Sequence, residues 1–435
     1  MIKKTLSIYI RKLFSPIILI ISIIFLVYIF YKSEIIHESK NKDYYLIYYI
    51  IGSLLFFFSI LTFFISQKAK EYFLIIFVSL FFSLYFFEGY LVFQSLKEFD
   101  LKKNLYEKQT GKKYDDRSRI KFYQDLKDKN INVEFAVMPK ILMNNIFVPL
   151  SGTSNSLTIG CNENGYYSVY QADRFGFNNS DEDWDSEEIE YLLTGDSYFH
   201  GACVNRPDDV TSVLRRLSGK PVLNVAYSSN GPLIYYASLR EYLNKKVKKV
   251  LWIHTENNHF NNLVLEMKNE ILINYLENLE FTQNLKLRQN EVNNLTGNII
   301  EKKIKGEKSD FQKFLTLWNL RKLFFYQTHL EPTPKKEDFK KILELAKKLT
   351  IENSSKLYVV YFPEYSRYVK DYDNTNYNLI KNILDEINIP LIDLHKEVFE
   401  KEKEPLKLFP FELNGHYNVD GYKKVSETIY RLTKD

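Results

Sequence analysis

Residues 189–204 read IEYLLTGDSYFHGACV. An apolar run of strand length, Ile189 to Leu193, leads directly into Thr194, Gly195, Asp196 and Ser197. Four more short apolar runs follow: PVLNVAY (221–227), KKVLWIHT (248–255), KLYVVYFP (356–363) and IPLIDL (389–394). Helix-length segments separate them, and strands alternating with helices predict a parallel sheet covered by helices, an α/β domain over 189–435. Between the third and fourth strands, residues 262–350 form an unusually long, charged, helical stretch, read as an insertion. A lid, a dimer surface and simple packing all fit it.

Working outward, residues 94–188 read as a stalk with a small β-containing lead-in segment. The stalk ends in a helix around DDRSRIKFYQDLKDK (115–129). In LTIGCNENGYYSVYQ (157–171), Asn164–Gly165 between two half-apolar runs is a strong hairpin signal. Further back, residues 1–93 carry three apolar runs: Leu13 to Tyr31, Tyr44 to Ile65, and Tyr72 to Phe93 broken only by Glu88. Each is close to the roughly 20 residues that a helix needs to cross a bilayer, so three transmembrane helices are expected. A cleavable signal is the poorer reading, because the first run is long and no small-residue cleavage site follows it. Lys3, Lys4, Arg11 and Lys12 precede the first span, and Lys68 and Lys70 lie between the second and third. The expected arrangement is therefore a multi-pass protein of the bacterial cytoplasmic membrane, N-terminus inside and everything beyond about residue 94 outside, in a Gram-negative cell in the periplasm.

Composition narrows the function. A net charge of +5 over 435 residues, with no basic stretch interleaved with stacking aromatics, gives no footprint for nucleic acid. Only two cysteines occur, Cys161 and Cys203, too few for a thiolate zinc site. They are either two free buried thiols or one disulfide, and an oxidising compartment favours the disulfide.

In open α/β sheets reactive groups collect at the carboxyl ends of strands. Ser197 follows the first strand on a tight turn into a helix. After the second comes NVAYSSNGP, with Asn224 and a turn of Ser229, Asn230 and Gly231. After the third, HTENNH presents Glu256, Asn257 and Asn258. Near the C-terminus, GHYNVDGYKKVSETIY places His416 just before an amphipathic helix. His254 and His259 flank Glu256, but their five-residue spacing does not match the helical i, i+4 pair of a zinc protease, so neither metal nor cofactor is expected.

In their order, these pieces resemble the SGNH (GDSL-type) hydrolase superfamily. The segments CNENGYYSVYQADRFGFNN, GDSYFHGACV, LNVAYSSNGPLIYYASLREY and FPFELNGHYNVDGYKKV are similar to a group of membrane-attached bacterial SGNH-like proteins of envelope context, over residues 113 to 435. The resemblance implies a flavodoxin-like three-layer α/β/α domain with a parallel sheet. It makes Ser197 the nucleophile and His416 the general base, with Ser197 N–H, Ser229 N–H and the Asn258 side chain as oxyanion donors, and Asp196 and Asn224 in support. Two departures stand out. Ser229 replaces the usual glycine, and Leu413 occupies the position, three before the histidine, where the family places its aspartate. Glu412 is the first substitute for that acid, with Asn414 and Asp393 behind it, and a Ser–His dyad is the remaining alternative.

The expected activity is that of a serine esterase on O-acyl, most naturally O-acetyl, groups of an envelope or secreted polysaccharide, through an acyl-Ser197 intermediate. Two alternatives accompany it. One is an O-acyltransferase served by a polytopic membrane acyl donor; the other is a weakened SGNH fold acting as a binding or assembly component. The expected partners are the lipid bilayer and an acylated glycan.

Overall fold

The computed structural model describes residues 2–36, 42–143, 146–243, 246–255, 258–328, 336–369 and 371–434, and among these the side chains of all but 2–12, 42–43, 258–259 and 324–328. The chain divides into two compact units: Met1–Gln94 with Ser309–Phe324, and Ser95–Lys308 with Phe325–Asp435. The middle of the long helical stretch between the third and fourth sheet strands thus belongs to the first unit, so that stretch is not one body.

In the first unit, three segments are long and apolar enough to cross a membrane: Leu13–Ile36, Tyr44–Leu61 and a window within the helix Gln67–Thr110. Their large apolar side chains point outward, Phe57 at 64% and Phe86 at 82% exposure, the pattern expected of helices that face lipid. The first two pack on each other, and Ser15 Oγ donates to the Thr62 carbonyl at 3.1 Å. The third helix does not stop at Phe93. It runs unbroken to Thr110, because SLKEFDLKKNLYEKQT contains neither proline nor glycine to end it.

The second unit holds two sheets. The smaller has strands β1 (Val133–Phe135), β2 (Leu157–Ile159) and β3 (Val169–Gln171); β1 and β2 are parallel, β2 and β3 antiparallel. The hairpin at Asn164–Gly165 is therefore present, but its connection is the long loop 160–168 rather than a two-residue turn. The larger sheet is wholly parallel: β4 (Glu188–Thr194), β5 (Val222–Asn224), β6 (Lys246–Thr255), β7 (Lys356–Phe362) and β8 (Leu391–Asp393), in the order β5-β4-β6-β7-β8. All five strands coincide with the five apolar runs of the sequence. Helices 210–218 and 419–433 pack together in one layer, and helices 232–242 and 336–352 together in another. The helix Lys336–Glu352 is the crossover into β7, so its apolar face (Phe339, Ile342, Leu343, Ala346) belongs to the core and not to an insertion.

Strand order reverses between β4 and its two neighbours. The chain goes from β4 to β5 on one side and then returns past β4 to β6 on the other, so the carboxyl end of β4 lies at the switch point where ligands enter such sheets.

The segment ADRFGFNN (172–179) ties the lead-in to this sheet. Buried Asp173 accepts from the N–H groups of Phe175 (2.8 Å) and Phe177 (2.9 Å), from Asn179 Nδ2 (2.8 Å) and from Trp184 Nε1 (2.7 Å). Asn179 in turn exchanges two hydrogen bonds with the backbone of Asn224 at the end of β5. Burial pushes the Asp173 carboxyl up to about 6, against the pull of its four donors. Asp173→Ala strands those buried donors, so a loss of about 3 kcal/mol or more is expected. Thermal denaturation checks this, and an unchanged midpoint would refute the role given to the network.

Candidate active site

Ser197 opens the short helix Ser197–His200 directly after β4. Gly195 is required there by space: a Cβ would lie 2.2 Å from the Ile253 side chain. Asp196 caps the helix, its Oδ1 accepting from Tyr198 N–H at 3.0 Å, while Oδ2 accepts from Thr255 Oγ1 at 3.0 Å at the end of β6. Asn224 Nδ2 donates to the Phe199 carbonyl and to Thr211 Oγ1, and its Oδ1 accepts from Ala226 N–H at 2.8 Å. Asp196 and Asn224 thus hold the turn through hydrogen bonds to its backbone and to neighbouring hydroxyls.

His416 comes from the far end of the chain, two residues before Asn418, which caps the C-terminal helix by accepting from Gly421 N–H at 2.9 Å. Its Nε2 lies 2.8 Å from Ser197 Oγ. The other ring nitrogen, Nδ1, is 3.1 Å from both carboxylate oxygens of Glu163, and the His416 backbone N–H donates to Glu163 Oε2 at 2.6 Å. Burial alone would push the Glu163 carboxyl up and the His416 imidazole down; their mutual charge and hydrogen bonds outweigh it, holding the carboxyl below its usual range and the imidazole above.

The carboxylate facing the histidine is therefore not any of the three candidates taken from the sequence. Glu412 is exposed, in a left-handed conformation (φ 58°), and its carbonyl accepts from Tyr365. Asn414 is exposed. Asp393 is occupied by Tyr377 O–H at 2.5 Å and the Lys396 N–H. The reason is local: Phe411 and Glu412 both adopt positive φ, and the bend leaves the segment before His416 facing solvent, so the ring finds its acid on another loop.

That loop is 160–168, the long hairpin connection. The disulfide Cys161–Cys203 fixes it to the end of the Ser197 helix, and Asn164 Nδ2 donates to the Cys203 carbonyl at 2.9 Å. Gly415 leaves the space the carboxylate needs, since a Cβ there would lie 2.7 Å from Glu163 Oε2. Among the described residues, the one group with metal-ligating side chains close together is Glu163, Cys203 and His416, and its sulfur is committed to the disulfide. His254 is buried in the core among Phe260, Phe339 and Tyr361.

Oxyanion donors can be located in part. As the first residue of its helix, Ser197 has an N–H with no intrahelical acceptor. Ser229 adopts φ 63°, the left-handed region where glycine is at ease, so serine here keeps the backbone geometry that a glycine would give, and its side chain turns away to Met138 Sδ at 2.9 Å. Glu266 steadies the following turn by accepting from Gly231 N–H at 2.5 Å and Leu233 N–H at 2.9 Å. The Asn258 side chain lies outside the described residues, as do Glu256 and Asn257.

A serine at the switch point of a 2-1-3-4-5 parallel sheet, hydrogen-bonded to a histidine just ahead of the last helix, decides the fold. The second unit has the SGNH hydrolase fold. No family model and no curated protein sequence matches the chain. Solved structures similar to this SGNH unit include the lipase/acylhydrolase from Enterococcus faecalis (13% identity, covering 56% of this chain and 95% of that one, TM-score 0.31). The acetyl xylan esterase AlAXEase (11%, 56% and 100%, TM-score 0.32) and a GDSL-like lipase from Bacteroides thetaiotaomicron (11%, 57% and 87%, TM-score 0.30) are others. The SGNH assignment itself rests on the strand order and the Ser197–His416 geometry of this chain.

Proposed function

We propose that the protein is a membrane-anchored serine esterase that removes O-acyl groups, O-acetyl above all, from an envelope or secreted polysaccharide. The observation that carries the chemistry is the continuous hydrogen-bonded series Ser197 Oγ, His416 Nε2, His416 Nδ1, Glu163 carboxylate. Ser197 Oγ attacks the acyl carbonyl while His416 takes its proton. Glu163 holds the ring in the tautomer with hydrogen on Nδ1 and stabilises the imidazolium that forms. The tetrahedral oxyanion is received by the N–H groups of Ser197 and Ser229. As the C–O bond to the sugar breaks, His416 returns the proton to the leaving oxygen. Water, deprotonated by His416, then attacks the acyl carbon; the bond to Ser197 Oγ breaks, His416 returns the proton to Oγ, and the carboxylic acid leaves. A sugar hydroxyl in place of that water would make the same site a transferase.

The two sequence features that favoured a weakened, merely binding fold lose their force. Glu163 supplies the acid missing at Leu413, and Ser229 has the φ of the glycine it replaces. The compartment is supported by the three apolar helices and by the excess of Lys and Arg on the expected inner side, and the substrate class follows from that compartment and the resemblance.

The proposal is tested by treating the detergent-solubilised full chain with a fluorophosphonate. Displacement of fluoride by Ser197 Oγ should leave one phosphonyl group per chain, on the peptide containing Ser197, and none on Ser197→Ala. An unlabelled wild-type protein would remove the esterase reading.

A further inference from the structure

Residues 309–324 interrupt the SGNH unit in sequence but pack with the membrane helices. Their anchor is Glu88, the one charge in the third apolar run. It is fully buried, and its carboxylate accepts from Asn319 N–H at 3.0 Å, Asn319 Nδ2 at 2.9 Å and Leu320 N–H at 2.8 Å. The two backbone donors belong to the second and third residues of the helix Trp318–Thr328, whose preceding residue is Leu317, which has no side-chain oxygen to cap it. A carboxylate from another helix therefore satisfies the orphan donors and sits at the positive end of the helix dipole. The apparent flaw in the span is a cap. One turn on, Arg321 donates from Nε to Tyr48 O–H at 3.1 Å and from Nη2 to Tyr44 O–H at 2.7 Å. Tyr85 O–H donates to the Leu315 carbonyl at 2.9 Å, with its ring 5.5 Å from that of Phe314.

Tyr44 and Tyr48 begin the second span and Glu88 lies near the end of the third. Because successive spans run in opposite directions, these residues lie at the same end of the bundle, and 309–324 is fixed there by polar contacts. Its large apolar side chains face the other way: Phe311 is 69% exposed, Leu315 48%, Trp318 41% and Leu323 45%. The spans also carry large apolar side chains outward at this end, where Phe86, Tyr90 and Phe93 are 82%, 50% and 62% exposed. An exposed apolar surface with an aromatic, held at the end of the spans and flanked by basic Lys322, fits the headgroup–acyl boundary of a bilayer.

We propose that residues 309–324 are an interfacial membrane element: a short helical pair lying in the leaflet boundary, with lipid as its partner. It makes the membrane hold the chain at two separate stretches of sequence. The proposal rests on the reading of the three apolar helices as spans.

Trp318 provides the probe, because the other two tryptophans, Trp184 and Trp252, are buried at 4% and 0% exposure in the SGNH unit. The full chain is reconstituted into phosphatidylcholine vesicles carrying brominated acyl chains, and its emission is compared with that in unbrominated vesicles. Insertion to about 5–10 Å predicts strong quenching by bromines near the headgroup, weaker quenching by bromines near the chain end, and little by aqueous iodide. Trp318→Phe should remove the lipid-quenchable component, and Glu88→Ala, which frees the helix start, should make Trp318 iodide-accessible. Quenching by iodide alone in the unaltered chain, or by neither agent, overturns the proposal, the second outcome meaning that protein covers the segment. Alkaline carbonate extraction separates the two readings. A chain that is washed off the vesicles defeats the spans themselves, whereas one retained with Trp318 unquenched by bromine defeats only the interfacial element.

Discussion

Ser197→Ala and His416→Ala are each expected to lower kcat for 4-nitrophenyl acetate by a factor on the order of 10⁶, and the double variant by little more. The two side chains act as a unit: without the imidazole the hydroxyl at 2.8 Å keeps its proton, and without the hydroxyl the imidazole has nothing to activate. Whatever turnover is left would come from the backbone donors of Ser197 and Ser229, which survive both substitutions. Steady-state kinetics on the full chain in detergent checks this. A double variant whose loss equals the product of the two single losses would mean that the residues contribute independently, and the proton relay drawn here would be wrong.

The second large effect separates the acid found in the structure from the one suggested by the sequence. Glu163→Ala should lower kcat by about 10⁴, because the ring loses both its orientation and the charge that stabilises imidazolium. Glu412→Ala, at an exposed position, should leave kcat essentially unchanged. A pH signature accompanies the loss. Glu163 raises the His416 pKa above the ordinary imidazole value of 6.5, and the base works only when neutral. The acid limb of kcat/KM should therefore lie above that value in the wild type. In Glu163→Gln, which keeps a polar group but not the charge, the limb should move to lower pH while the plateau falls. A limb that stays in place would show that Glu163 does not face the histidine in the working enzyme.

The parts legible from sequence were those written in local pattern. Five short apolar runs became the five strands because a parallel strand buried on both faces needs an unbroken run of apolar residues, as at Val250 to Ile253. Ser197 and His416 were legible because each sits at a strand end or helix start that the pattern locates. The acid was not, for a physical reason: Glu163 and His416 lie 253 residues apart, and what joins them is loop geometry, a disulfide and the positive φ of Phe411 and Glu412. The signal available was in plain view. Glu163 is two residues from a cysteine whose partner, Cys203, ends the nucleophile turn, and a disulfide between them could have carried the search for the acid to that loop. The boundary of the helical stretch failed similarly. Glu88 looks like an interruption in a span until the helix start that it caps is seen 231 residues away.

The Cys161–Cys203 link has a consequence for what counts as the enzyme. A fragment starting at residue 188, where the large sheet begins, would keep nucleophile and base and preserve every strand of the parallel sheet. It would leave behind Glu163, half of the disulfide and the Asp173 network. On the proposed mechanism, the portion that looks like a self-sufficient hydrolase thus lacks the acid that orients its base. The catalytic unit of that mechanism starts well upstream of the sheet, and the loop that carries its acid is tied down by a bond whose formation removes two electrons from the cysteine pair.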